Sequence, residues 1–246
     1  MRSIHLIYHE VRKQESAYSY VMDLGEFERH LDLFSQLRKK SPVGILPEVT
    51  FDDGHISGHD DALPLLVEHG LSAHFFVTAG WIGSKENFMD WPEVRALHEA
   101  GQHVGAHGWS HTLLTHCNAS ELRRELRDAR VKIEDELGCS ITTMSLPGGR
   151  YNRRVLDGCR ESGYTRIYTS QPKIEMGSEE TLIGRLNIRR DMSLAWLEEL
   201  FQPQSKTMSG LERQAKMKLA VRSILGDRLY AGLWSVLNRQ EPEAQP

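Results

Sequence analysis

Apolar residues along this chain fall into short runs that alternate with longer stretches of helical spacing. Residues 4–8, 48–51, 73–78, 104–106, 143–146, 166–169 and 185–188 read as strands. Between them, residues 24–40 place apolar side chains at 24, 27, 31, 34 and 37, one stripe of a helix. Residues 61–69 read as a helix closed by Gly70, and 91–100 as one with Pro92 in its first turn and Gly101 behind it. Further helices are expected at 119–137 before Gly138, at 153–162 before Gly163, and at 193–201 with Ser193 as cap. Repeated strand-helix units predict a parallel sheet with helices outside. Seven or eight such units in about 200 residues predict an α/β fold, a barrel with parallel strands, incomplete or closed. A doubly wound open sheet is the alternative. In either fold the functional residues belong where strands end.

The pattern changes after residue 203. Residues 204–240 carry seven Lys and Arg against two acids, whereas the whole chain has a net charge of −4. Their apolar residues fit two amphipathic helices separated at Gly226. The expected organisation is thus a barrel over 1–203, a basic helical extension over 204–240 and a disordered tail over 241–246. The extension suits packing against the barrel, or contact with an anionic membrane surface or a partner enzyme.

Composition narrows the picture. The acidic balance argues against a nucleic-acid surface. No run approaches the roughly 20 apolar residues of a membrane span, and residues 1–13 do not resemble a signal peptide, so the expected compartment is the cytoplasm. Cys117, Cys139 and Cys159 are odd in number and form no CxxC pair, which predicts reduced thiols. All 12 histidines lie at or before position 116, so no mechanism can draw one from the second half.

Two segments carry chemistry. Asp52-Asp53-Gly54 ends a strand with two adjacent carboxylates, which raise each other's pKa unless a cation intervenes. By itself the sequence also suits a solvated turn. His107-Gly108-Trp109-Ser110-His111 follows a strand and sets two imidazoles four residues apart, so that both can reach one metal ion from a helical or loop turn. Two histidines and one carboxylate make a three-ligand site for a divalent ion, and the second aspartate is then available as a base.

Together with Leu146-Pro147-Gly148-Gly149-Arg150-Tyr151, these segments resemble the three motifs of the polysaccharide deacetylase (NodB-homology) family of carbohydrate esterases. The order and separation fit, over roughly residues 4–200. The resemblance implies a distorted (β/α)7 barrel and metal-dependent removal of acetyl from an N-acetylated sugar. Carried over by position, Asp53, His107 and His111 are the metal ligands, for Zn²⁺ before Co²⁺ or Ni²⁺. Asp52 is the general base, and the N–H of Gly148 holds the oxyanion. Trp109, Pro147, Gly149, Arg150 and Tyr151 line the cleft. Tyr8-His9-Glu10-Val11 and the basic C-terminal extension are most similar to members that accompany glycosyltransferases in bacterial surface-glycan synthesis. That implies a lipid- or nucleotide-linked amino sugar, a glycosyltransferase or membrane partner, and the inner membrane face. Hydrolysis of a cyclic amide, or a catalytically weak metal-binding partner of a glycosyltransferase, are the alternatives.

The chain departs from the family twice. Many members take their general acid from a late histidine, and this chain has none. His9 is the expected replacement, ahead of His55, with water or Asp52 itself as further options, while His5 is expected to be structural. Many members also orient the base with an arginine two residues before the third-motif proline, where Ser145 stands here. Arg185 or Arg189 is expected to reach the cleft and replace that arginine, and Arg185 is also expected to contact substrate. His103 is expected either next to the ligands or on the surface, and Trp81 near the cleft.

Overall fold

The computed structural model describes residues 2–14, 16, 18–40, 44–177 and 180–237, with side chains considered as far as residue 221. The expected disordered tail, 241–246, lies outside these residues. The chain opens with β1 (Arg2–Tyr8), followed by a small parallel pair, β2 (Glu10–Arg12) and β3 (Val21–Asp23), and by α1 (Leu24–Lys40). Then come β4 (Ile45–Phe51), α2 (Leu63–Glu68), β5 (Ala73–Val77), α3 (Trp91–Glu99) and β6 (His103–Ala106). A long helical stretch follows, α4 (Ala119–Arg123) and α5 (Ala129–Leu137), joined by a π-helical turn at Arg124–Asp128. The remainder is β7 (Thr143–Ser145), α6 (Arg153–Glu161), β8 (Arg166–Tyr168), β9 (Leu182–Ile183), β10 (Arg185–Asn187), α7 (Leu194–Leu200) and α8 (Lys206–Leu237).

Eight strands pair in the order β10-β1-β4-β5-β6-β7-β8-β9, all parallel. The two edge strands are neighbours in sequence, separated by Gly184 alone. β9 pairs with β8 on one side and β10 with β1 on the other. They are two halves of one strand position, so eight segments occupy seven places around a nearly closed barrel. The expected distorted (β/α)7 barrel forms, and the open doubly wound sheet does not. Gly184 permits the break because a Cβ there would lie 2.5 Å from the Gln171 carbonyl oxygen and from Lys173 Cβ.

Local sequence explains the helices. α1 turns Phe27, Leu31 and Phe34 inward, a 3.6-residue repeat. Asp90 and Glu93 form a reciprocal capping box at the start of α3, and α5 stops at Gly138, where φ is +67°. Outside the sheet, Phe51 stacks on Phe75 at 4.8 Å; inside the barrel, Phe76, Tyr168 and Ile183 form a separate small core.

Residues 119–137 differ from the single α-helix expected. The π-helical turn inserts an extra residue and brings Glu125 into the buried face beside Leu126. The C-terminal stretch also differs, being one helix rather than two. Glycine in a helix interior costs about 1 kcal/mol relative to alanine, too little to force a break at Gly226. The start of α8 is docked: Met208 is fully buried, its N–H donates to Ser205 Oγ at 2.9 Å, and the Lys206 N–H donates to Glu199 Oε1 at 3.0 Å.

Candidate metal and catalytic site

The alternation of β4 separates its residues by task. Phe51 faces the helices, while Thr50 and Asp52 face the barrel interior. At Asp53 the backbone turns to φ +75°, and Gly54 follows at φ +93°. Two adjacent carboxylates therefore enter different surroundings. At Gly54 a Cβ would lie 2.9 Å from Ile82 Cδ1, so the turn also needs glycine for space.

Asp52 is buried at the mouth of the barrel and fully engaged. Arg185 donates from Nη1 to Oδ1 at 2.7 Å and from Nη2 to Oδ2 at 2.8 Å. Ser145 Oγ donates to Oδ2 at 3.1 Å and accepts from Arg185 Nη2 at 2.6 Å. Arg185 is held in turn by the Thr169 carbonyl at 3.1 Å and Thr50 Oγ1 at 3.0 Å. Burial pushes the Asp52 carboxyl up, but the charges of Arg185 and His107 and the arginine hydrogen bond outweigh it, so it ends below the usual carboxylate range. The result is a carboxylate held ionised and fixed in orientation, as a general base requires. The expectation that Arg185 contacts substrate is corrected, because its side chain is completely buried behind Asp52. It takes the place of the arginine missing before the third motif, and Ser145 links the two. Arg189 points elsewhere and pairs with Asp191 at 3.0 Å.

Asp53 meets two imidazoles. Its Oδ1 lies 3.3 Å from His107 Nε2 and 3.3 Å from His111 Nε2. His107 donates from Nδ1 to the Ser145 carbonyl at 2.9 Å, which leaves Nε2 as the lone-pair nitrogen facing Asp53. The HxxxH segment is a loop rather than a helical turn, with Gly108 at φ +82° and His111 at φ +60°. Burial raises the Asp53 carboxyl, but the close imidazole of His107 and the charges of His9 and His111 carry it well below its ordinary range. Burial lowers the His107 imidazole, but Asp52 and Asp53 outweigh it and push it up; burial and the charge of His107 push His111 down to about 4.

These residues fit a divalent cation. One carboxylate oxygen and two imidazole nitrogens lie within 4.8 Å of one another. Asp53 Oδ1 is buried with no hydrogen-bond donor. Two donors each about 2.0–2.1 Å from one tetrahedral ion stand about 3.3 Å apart, the separation seen on both sides of Asp53. Two nitrogens and one oxygen are a donor set for Zn²⁺, Co²⁺ or Ni²⁺.

Sequence reasoning missed the residue that shapes this loop. Glu125 is buried, and its Oε2 accepts from the Trp109 N–H at 2.8 Å and the Ser110 N–H at 3.0 Å. Its Oε1 accepts from Ser110 Oγ at 2.6 Å. A Cβ on Gly108 would lie 2.8 Å from Glu125 Oε2, so glycine allows the carboxylate to sit against the backbone. The available signal was a glutamate interrupting the apolar stripe of Leu122, Leu126 and Ala129.

The candidate acids separate. His9 lines a small cavity together with Asp52, its ring lies 5.3 Å from that of Tyr20, and its Nδ1 is buried without a partner. His55 is tied to Ser57 Oγ and Arg12 Nη2, both at 2.9 Å, and burial pushes it down to about 4. His55 lines the same cavity as His9, but these two bonds engage both of its ring nitrogens. His103 stacks on His74 at 4.6 Å at the start of β6, the opposite end of the strand from His107 and His111.

The cleft residues form a rim. Trp81 lies 5.2 Å from the His111 ring and carries Lys85 Nζ 3.6 Å above its face. Trp109 is half-buried, its carbonyl accepts from the Gly80 N–H at 2.8 Å, and the Arg124 guanidinium lies 5.3 Å from its ring. In the third motif Pro147 is buried and Gly148 is exposed at φ +61°. Gly149, at φ +64°, packs so closely on Ser170 that a Cβ would lie 2.7 Å away. Arg150 and Tyr151 are half-buried beyond the turn, and among the described residues neither hydrogen-bonds or ion-pairs with Asp52, Asp53, His107 or His111.

Comparison with known proteins agrees with this geometry. The family model described as polysaccharide deacetylase matches residues 45–167. YxkH of Bacillus subtilis (strain 168) is 25% identical over 184 residues, 68% of this chain and 64% of its own. The peptidoglycan-N-acetylmuramic acid deacetylase PdaC of the same organism is 33% identical over 105 residues, 42% of this chain and 21% of its own. The chain thus spans less than two thirds of either relative. The structure of the Streptococcus pyogenes deacetylase PplD in complex with acetate superposes with a TM-score of 0.74 at 18% identity, covering 82% of this chain and 99% of that one, a likeness of fold. The chain belongs to the polysaccharide deacetylase family.

Proposed function

We propose that this chain hydrolyses the N-acetyl group of an N-acetylated sugar with the help of a divalent cation, Zn²⁺ in the first place. The observation that carries the proposal is an ionised aspartate, Asp52, pinned by Arg185 and Ser145 beside the convergent Asp53, His107 and His111. Asp53 Oδ1, His107 Nε2 and His111 Nε2 would hold the cation. Such an ion supplies a more acidic water and an electrophile for the acetamide carbonyl. Asp52 takes the proton of the attacking water, and its fork with Arg185 keeps the accepting oxygen aimed. The Gly148 N–H, on an exposed turn that a side chain would crowd, stabilises the oxyanion. His9 returns a proton to the departing amine, so that acetate and a free amino sugar result. Trp81, Trp109 and Tyr151 offer ring faces to the sugar.

We further assign the substrate to a lipid or nucleotide carrier at the inner membrane face, with α8 towards anionic lipid or a glycosyltransferase. Among the described residues no helix is long and apolar enough to cross a membrane. The exposed Met217 and Val221 beside Lys216 and Lys218 support a surface contact. Acetate release from a panel of N-acetylhexosamine substrates tests the activity. Release from at least one supports it, and release from none with cation present refutes it.

A further inference from the structure

We propose that Arg12, outside the barrel, is a positioning residue whose bond to His55 holds His9 in place beside Asp52. This rests on the deacetylase reading and on His9 as its proton donor. His9 is the single residue between β1, a barrel strand, and β2, which belongs to the separate two-stranded sheet with β3. On the β1 side its backbone is fixed, because the Tyr8 carbonyl accepts the Asp52 N–H at 3.0 Å. On the β2 side, outside the barrel sheet, side chains supply the hold. Arg12 Nη2 donates to His55 Nε2 at 2.9 Å and lies 2.5 Å from Glu10 Oε2. An arginine only donates, so His55 accepts at Nε2 and donates from Nδ1 to Ser57 Oγ at 2.9 Å. Ser57 Oγ also accepts the Val11 N–H at 3.1 Å. The strand that follows His9 is thus tied to the segment that follows Asp53.

The two ends of this tie are unequally held. His55 is the firm post. Its ring packs edge-on against Phe88 at 5.8 Å, the Gly54 carbonyl accepts the Met89 N–H at 3.0 Å, and the Asp53 carbonyl accepts the Thr78 N–H at 3.1 Å. None of these contacts involves Arg12. The arm of residues 10–23 is anchored at its far end, where the Ser19 carbonyl accepts the Arg190 N–H at 2.9 Å. Loss of the Arg12 side chain therefore displaces β2 and His9 and leaves Asp53 where it is. The Val11 bond to Ser57 remains, so the change is a displacement and not a release. Because His9, Asp52 and His55 line one small cavity, a shift of β2 moves the imidazole relative to the base. The His9 ring also lies 5.3 Å from that of Tyr20, the residue before β3, which makes its position readable. The Arg12 side chain is 39% exposed, so its replacement spares the core.

The test uses the full chain, R12Q, H9A and the double variant R12Q/H9A. Acetate release from N-acetylhexosamine substrates is measured, with Zn²⁺ binding alongside. In R12Q, kcat is expected to fall about tenfold, with KM and Zn²⁺ affinity within about twofold of the wild type. Adding R12Q to H9A is expected to cost nothing further, because Arg12 acts through His9. Unchanged kcat in R12Q, or an equal loss in the H9A background, overturns the proposal. A second arm needs no turnover. The His9 Cε1–H resonance, identified in histidine-labelled protein by its loss in H9A, is expected to move in R12Q, because the Tyr20 ring current it feels changes with their separation. If no substrate releases acetate, the deacetylase reading fails and this resonance alone decides; a His9 signal unmoved in R12Q overturns the proposal.

Discussion

Arg185 grips Asp52 with both terminal nitrogens, at 2.7 and 2.8 Å, although β10 and β4 are 133 residues apart in sequence. The arginine is wholly buried, so the pair cannot be relaxed by water. Removing the guanidinium would leave a buried carboxylate unpaired, which costs about 3–5 kcal/mol. R185M is therefore expected to lower the unfolding free energy by that order and to cut turnover at least about a hundredfold. Because Arg185 holds the Asp52 carboxyl down against burial, the acid limb of the pH–rate profile should move to higher pH. S145A, which keeps the fork, should fold normally and show a smaller shift in the same direction. An acid limb unmoved in both variants would contradict a positioning role.

Glu125 fixes the loop between His107 and His111, the proposed ligands, through three donors. E125A should weaken cation affinity by about 10–100-fold, the usual loss when a supporting partner of a metal site is removed. Equilibrium dialysis against buffered Zn²⁺ measures this directly. Affinity equal to that of the wild type would show that the loop holds its shape without the carboxylate.

His9 carries the most exposed assignment in the mechanism. H9A should retain its bound cation and lose about a hundredfold in kcat. Cation content measured alongside acetate release separates the two effects. Full turnover in H9A would move the proton donation to water or to Asp52.

Three buried histidines and the half-buried His74, all outside the proposed ligand set, are expected to make the fold acid-sensitive. Burial pushes His5 and His74 down to about 3, and His30 and His55 down to about 4. His30 is held by Tyr8 Oη at 2.9 Å, deep in the outer core. With folded values below the ordinary 6.5, the unfolded chain binds more protons between about pH 4 and 6.5. The stability is complete above that window and is lost as pH falls through it, by up to about 1.4 kcal/mol per histidine per pH unit. Urea midpoints should therefore fall between about pH 7 and pH 5. A midpoint that does not move, or that rises, would contradict neutral burial of these rings.

Much of this was legible in the chain because local physics wrote it there. The apolar runs located β1, β4, β5, β6, β7 and β8, and the helix signals at Pro92, Gly138 and Ser193 agree with the helices that form. The three motif segments identified the residues that converge, Asp52, Asp53, His107 and His111. What escaped depends on contacts between distant segments. That Arg185 rather than Arg189 grips Asp52 follows from barrel closure across Gly184, which no local pattern reports. The π-helical turn that turns Glu125 inward is a one-residue shift inside an otherwise regular helix. The expected break at Gly226 overweighted a single glycine, and the β2–β3 pair is too short to leave a periodic signal.

The most direct test strips the wild-type chain and D52N of cation with a chelator, adds back Zn²⁺ and follows acetate release from N-acetylhexosamine substrates. The predicted result has three parts. The stripped wild type is inactive, Zn²⁺ restores it, and D52N binds Zn²⁺ equally but remains at least about a hundredfold slower. Acetate release that is indifferent to the chelator, or D52N turning over at the wild-type rate, would contradict the account.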